Sequence, residues 1–66
     1  MIVTNQLKQL RTEQDITQEE LAKELDVSRQ TINAIETGKY NPSLELALEI
    51  AKFFNTEVEE VFSLEE

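Results

Sequence analysis

Cysteine and histidine are both absent from this chain of 66 residues. Without cysteine there is neither a disulfide nor a thiolate metal site. Without histidine the commonest metal ligand and general base is gone. Tryptophan is also missing, and Gly38 and Pro42 are the only residues of their kinds. One glycine cannot build a loop that cradles phosphate. A single small core also leaves no room for an enclosed cleft, so the sequence does not describe an enzyme. No cofactor and no metal site are expected. No apolar run approaches the ~20 residues of a membrane span. Met1 to Thr4 leads straight into a polar helical pattern, so no signal peptide is expected and the expected compartment is the cytoplasm.

Positive charge is scarce as well. Six basic side chains face fourteen acidic ones, for a net charge of -8. The distribution is uneven. Residues 1–26 set Lys8, Arg11 and Lys23 against six acids, and residues 45–66 set Lys52 against seven glutamates. Between them, residues 27–44 hold Arg29 and Lys39 against Glu36 alone. If one face of the molecule meets phosphate, it is built around that middle segment, with the acidic tail turned away. The alternative is that the acids simply keep the protein soluble.

What remains is rich in leucine, glutamate, glutamine, alanine and lysine, which favours an all-α fold. The length allows one domain, residues 1–66. The punctuation predicts five short helices. The first runs from about Gln6 to Gln14, capped by Thr4 or Asn5, with Leu7 and Leu10 inward. Thr17 and Glu20 form a capping box for the second, which ends near Leu25. Ser28 caps the third, Arg29 to about Thr37, with Ile32 and Ile35 inward and Gly38 stopping it. After a loop shaped by Pro42, Ser43 caps the fourth. Its inner residues are Leu46, Ala47, Ile50, Ala51 and Phe54, and Asn55 ends it. A second capping box over Thr56 to Glu59 is expected to start the fifth. Ile2, Val3 and Thr4 look extended and are expected to pair with Val61 to Leu64 as a small two-stranded antiparallel sheet joining the termini.

The second and third helices, with a short turn between them, form a helix-turn-helix unit over residues 17–38. Its crossing needs a small residue, and Ala22 supplies it. Leu21, Leu25, Val27, Ile32 and Ile35 fill the angle. The tight turn favours a residue that tolerates positive φ, and Asp26 stands there.

Gln-Glu-Glu-Leu-Ala from Gln18, Val-Ser-Arg-Gln-Thr-Ile from Val27 and Ile-Glu-Thr-Gly-Lys-Tyr from Ile35 resemble the Cro/cI-type (lambda-repressor-like, XRE) DNA-binding domains. The resemblance continues through Asn41-Pro42-Ser43-Leu44 to Phe62. It implies a five-helix fold, double-stranded DNA as partner, and a homodimeric transcription regulator, in the first instance a repressor. The departures are Asp26 where glycine is usual, and the acidic total charge. The alternative is a protein-interaction module of the same fold, an antitoxin or co-regulator with a protein partner.

By spacing alone, Arg29, Gln30 and Asn33 are also ordinary solvated helix positions. The resemblance places them in the major groove. Arg suits guanine O6 and N7, and Gln suits adenine N6 and N7. Ser28 and Thr31 sit beside them, Ser28 grouped with the base contacts and Thr31 with the phosphate contacts. Gln18 resembles the family position that touches phosphate and braces a recognition residue. Lys39, Tyr40 and Asn41 follow the third helix and can clamp phosphates through side chains or amides, or form a plain polar loop. Arg11 and Glu36 resemble a pair that forms a structural salt bridge. Phe53, Val58, Val61, Phe62 and Leu64 are more apolar surface than a monomer this size buries comfortably. They mark an expected dimer interface, with two recognition helices about 34 Å apart and an inverted-repeat operator; the alternative is that they belong to the core of a monomer.

Overall fold

A computed structural model describes residues 2–66; Met1, at the edge of the expected domain, lies outside the described residues. The elements in order are β1 (Ile2–Asn5), α1 (Leu7–Glu13), α2 (Gln18–Leu25), α3 (Arg29–Glu36), α4 (Leu44–Phe53), α5 (Val58–Val61) and β2 (Phe62–Glu65). Five helices therefore carry one two-stranded antiparallel sheet. Ile2 pairs with Glu65, Val3 with Leu64, Thr4 with Ser63 and Asn5 with Phe62.

The caps set the helix starts. The Thr17 hydroxyl accepts from the Glu20 amide at 3.0 Å, and the Glu20 carboxylate accepts from the Thr17 amide at 2.8 Å. Ser28 and Ser43 cap α3 and α4 by accepting from the amides of Thr31 and Leu46. The expected cap of α1 by Thr4 or Asn5 is corrected: both residues belong to β1, and Gln6 stands at the N-cap without a side-chain cap, although Asn5 Oδ1 still accepts from the Leu7 amide at 3.1 Å. The second capping box does not form. Glu57, not Thr56, precedes α5, and it makes no side-chain cap. The reason is that the Thr56 amide already donates to the Ala51 carbonyl at 2.9 Å, so it closes α4 instead of opening α5.

That closure recurs. α1, α2, α3 and α4 each end with one residue at positive φ and an amide reaching back five positions. The left-handed residues are Asp15 (φ 62°), Asp26 (58°), Gly38 (79°) and Asn55 (56°). The backward amides are Ile16 to Arg11, Val27 to Ala22, Lys39 to Ala34 and Thr56 to Ala51. This arrangement satisfies carbonyls that the helix leaves open. Only Gly38 takes the conformation without steric cost; Asp and Asn tolerate it through their short polar side chains.

The core gathers the inner faces that the periodicity marks. Leu7, Leu21, Ile32, Ile35, Ile50 and Val61 are fully buried, with Ala22, Leu25, Leu46, Ala51 and Phe54 around them. Leu10, Ile16, Val27, Phe53, Val58 and Phe62 close its margin. α2 and α3 form the most extensive helix pair. Asn5 Nδ2 donates to the Ile35 carbonyl at 2.9 Å and ties the sheet to the last turn of α3. No helix among the described residues is long and apolar enough to cross a membrane.

Candidate nucleic-acid interface

The start of α3 lies one turn beyond the buried angle between α2 and α3. Ile32 and Ile35 hold its inner side, which leaves Arg29, Gln30 and Asn33 exposed. Arg29 and Asn33 are one turn apart and so share a face. The first turns of α2, α4 and α5 carry glutamates; that of α3 carries no acid. The positive end of its dipole is therefore not offset by an acid and is suited to a phosphate.

Behind this face runs a chain of hydrogen bonds. Arg11 Nε donates to Glu36 Oε2 at 2.7 Å, Arg11 Nη2 to Glu36 Oε1 at 3.2 Å, and Arg11 Nη1 to the Ile16 carbonyl at 2.8 Å. The side chains are 11% and 3% exposed. Gln18 is the hub. Its Nε2 donates to Glu36 Oε1 at 2.9 Å and to Asn33 Oδ1 at 3.2 Å, and its Oε1 accepts from Arg29 Nη1 at 3.3 Å. Two of the expected base-reading residues, Arg29 and Asn33, are thus braced by Gln18, one of the expected phosphate-contacting residues. The pair Arg11–Glu36 anchors them through Gln18, and Arg11, only 11% exposed, has three of its five N–H donors engaged in these bonds.

The flanking residues divide. The Ser28 and Thr31 hydroxyls lie 2.9 Å apart, and Ser28 Oγ also caps the helix. Of their two hydroxyl protons one is shared between them, so one remains to donate outward. The amides of Lys39 and Tyr40 both turn back to the Ala34 carbonyl, at 2.9 and 3.2 Å. These two amides are therefore not free to clamp a phosphate, and the expectation of an amide clamp at Lys39 and Tyr40 is corrected. Lys39, Tyr40 and Asn41 are all exposed.

The expected interface residues divide too. Val61 is 1% exposed and belongs to the core, so it has no side chain to offer a second chain; that assignment is corrected. Phe53 packs edge-on against Phe54, with ring centroids 5.0 Å apart, and lines an open groove with Ile16, Glu20, Lys23 and Glu24. Val58 and Phe62 are half-buried, and Leu64 is exposed. Two exposed residues escaped the sequence reading. Leu44 and Leu48 lie one turn apart on α4, 73% and 52% exposed. Their signal was a second i, i+4 leucine stripe beside the inner one.

Comparison with known proteins bears on this geometry. A family model described as helix-turn-helix matches residues 7–61. An HTH-type transcriptional regulator of Methanocaldococcus jannaschii is 58% identical over 62 residues, 94% of each chain. The HTH-type transcriptional activator BcrR of Enterococcus faecalis is 44% identical over 66 residues, all of this chain and 32% of that protein. The phage CTXphi transcriptional repressor RstR of Vibrio cholerae is 35% identical over 60 residues, 91% of this chain and 54% of that one. Among solved structures, the restriction-modification controller protein C.AhdI of Aeromonas hydrophila superposes with a TM-score of 0.74. It is 33% identical and covers 82% of this chain and 78% of its own. A protein from Bacteroides fragilis reaches a TM-score of 0.84 at 24% identity, over 94% of this chain and 100% of that one, which speaks for the fold alone.

Proposed function

As the chain belongs to the helix-turn-helix family of transcriptional regulators, we propose that it binds an inverted-repeat operator as a homodimer and represses by occupying it. The observation that carries this reading is the exposed face of α3, where Gln18 holds Arg29 and Asn33 side by side. Each subunit lays α3 in a major groove, with the two recognition helices about one turn of DNA apart. Arg29 donates to guanine, and Gln30 and Asn33 read neighbouring bases. Ser28 lies at the edge of that set. Gln18, Thr31, Lys39, Tyr40 and Asn41 line the phosphates on either side and set the register.

The two-fold interface forms on exposed and half-buried apolar surface. Leu44 and Leu48 supply it from α4, and Val58, Phe62 and Leu64 supply it from α5, which packs on α4, and from β2. Phe53 is left to the margin of its own core. An activator and a repressor both stand among the relatives. Repression is the simpler action, because occupancy of the operator suffices for it.

The test is selection of binding sites from a random duplex library, then titration on the selected site at two salt concentrations. The expected result is an inverted repeat, bound more weakly as salt rises and more weakly again in Arg29→Ala, with the base preference relaxed at one position of each half-site. Selection of no motif would reject the reading and turn the search to a protein partner. A reporter gene behind the selected site, silenced when the protein is present, tests the direction of regulation.

A further inference from the structure

We infer that Glu36 fixes the hydrogen-bonding polarity of the recognition face, so that Asn33 presents its amide N–H groups, and not its oxygen, to the groove. This rests on the reading that α3 enters the major groove. The argument begins with chemistry. A carboxylate only accepts hydrogen bonds, whereas a primary amide can be turned either way. Glu36 is nearly buried, and both of its oxygens accept from Arg11, Oε2 from Nε and Oε1 from Nη2, while Oε1 alone also faces Gln18. The side of Glu36 that faces Gln18 must therefore receive N–H, and Gln18 Nε2 supplies it at 2.9 Å.

That orientation forces the rest. Gln18 Oε1 now points the other way, toward the Arg29 guanidinium, which can only donate to it. The second N–H of Gln18 faces Asn33, so Asn33 turns its Oδ1 inward at 3.2 Å. Its two N–H donors are left outward. The flip of Gln18 satisfies three neighbours at once; the reverse flip would set N–H against the guanidinium and oxygen against the carboxylate. Glu36 and Gln18 are thus positioning residues that act on base choice through Asn33.

A donor in the groove pairs with purine N7, guanine O6 or thymine O4, and is mismatched at cytosine, whose group there is the N4 donor. At the position read by Asn33, cytosine is disfavoured by about fivefold to tenfold, the worth of one hydrogen bond.

The polarity can be inverted. In Glu36→Gln the new side chain keeps its oxygen on Arg11 Nε, the shorter of the two bonds, gives up the longer one from Nη2, and turns N–H toward Gln18. Gln18 then flips, the exposed Arg29 side chain swings away from its N–H groups, and Asn33 follows with its oxygen outward. Site selection with the wild type, Glu36→Gln and Gln18→Ala, each checked for folding by thermal melting, tests this. The wild type is expected to exclude cytosine at that position. Glu36→Gln shifts the preference toward donor edges, cytosine N4 or adenine N6, and Gln18→Ala, which leaves the ion pair in place, flattens it. A folded Glu36→Gln or Gln18→Ala variant with the wild-type preference overturns the inference while DNA recognition stands. If Glu36→Gln does not fold, Asn33→Asp replaces it: with donors removed at an exposed site, the preference moves to cytosine, and an unmoved preference overturns the inference. Failure of the wild type to select any motif overturns both readings together.

Discussion

Replacing Asp26 by glycine should stabilise the fold. Asp26 sits at φ 58° in the turn between α2 and α3, with its amide bonded to Lys23 and the next amide to Ala22. The left-handed conformation costs an ordinary L-residue about 1–2 kcal/mol, and Asp part of that. The carboxylate also lies at the negative end of α2, an unfavourable contact of about 0.3–1 kcal/mol. Glycine removes both terms but gives back about 0.5–1 kcal/mol through the greater freedom of the unfolded chain. The net gain is about 0.5–1 kcal/mol, a rise in Tm of about 2–8 °C for a domain of this size. Asp26→Asn separates the contributions, because it removes the charge and keeps a residue that tolerates the turn. Asp26→Ala removes the charge and adds the full steric cost, so it should melt below the wild type. Thermal melts of the three variants in low salt decide the matter. A glycine variant no more stable than wild type, or an alanine variant as stable as the glycine one, would refute the claim that backbone strain is stored here. The same reasoning ranks Asp15→Gly beside Asp26→Gly and well above Asn55→Gly, since Asn carries no charge and already suits the position.

Glu36→Ala leaves the Arg11 guanidinium, only 11% exposed, without its carboxylate. The expected loss is about 3 kcal/mol in urea unfolding, a large share of the ~3–10 kcal/mol a domain this size possesses; a loss under ~1 kcal/mol would mean that water reaches the pair. Arg29→Ala should weaken operator binding by about 1–3 kcal/mol and relax one base in each half-site, whereas Lys39→Ala should weaken all sequences alike. Few cations line the surface, with Lys39 the main one for phosphate. A dimer making two to four ionic contacts should lose only about 10- to 150-fold in affinity between 50 and 200 mM salt. A far steeper slope in fluorescence anisotropy would point to contacts from lysines not assigned here. Leu48→Glu should convert dimer to monomer in sedimentation velocity and leave the melt of the monomer nearly unchanged, because the side chain is 52% exposed.

What could be read in the sequence was mostly what depends on neighbours along the chain. Thr17, Ser28 and Ser43 cap where they stand because a cap needs only the next three residues. Asp26 was legible as a left-handed residue because a turn that short leaves few choices. Thr56 shows the limit. Its capping-box pattern with Glu59 is sound locally, but its amide was already committed to Ala51, and an exit and an entrance compete for one N–H. Val61 was misplaced for a related reason. It lies next to the strand but on the last turn of α5, where its side chain turns into the core. The contacts of Gln18 with Asn33 and Glu36 join residues 15 and 18 apart across a helix crossing. Periodicity marks both helices but does not orient one amide. Leu44 and Leu48 went unread because the stripe beside them already accounts for burying α4.

The terminal ribbon has a consequence for how the molecule comes apart. Ile2 and Glu65 pair across nearly the whole chain, so their meeting closes a loop costing about 3–4 kcal/mol of chain entropy. The α2–α3 crossing, by contrast, is made by close neighbours in sequence. Folding should therefore assemble the helical crossing early and zip the ribbon late, and native-state hydrogen exchange should find the ribbon amides opening first. While the ribbon is open the recognition helix is still seated on α2, but β2 and Asn5 have left their places. On the proposed dimeric reading, a single chain can then meet DNA before it is shaped to meet another copy of itself, so that assembly on DNA, one subunit after the other, is the route this order of events predicts.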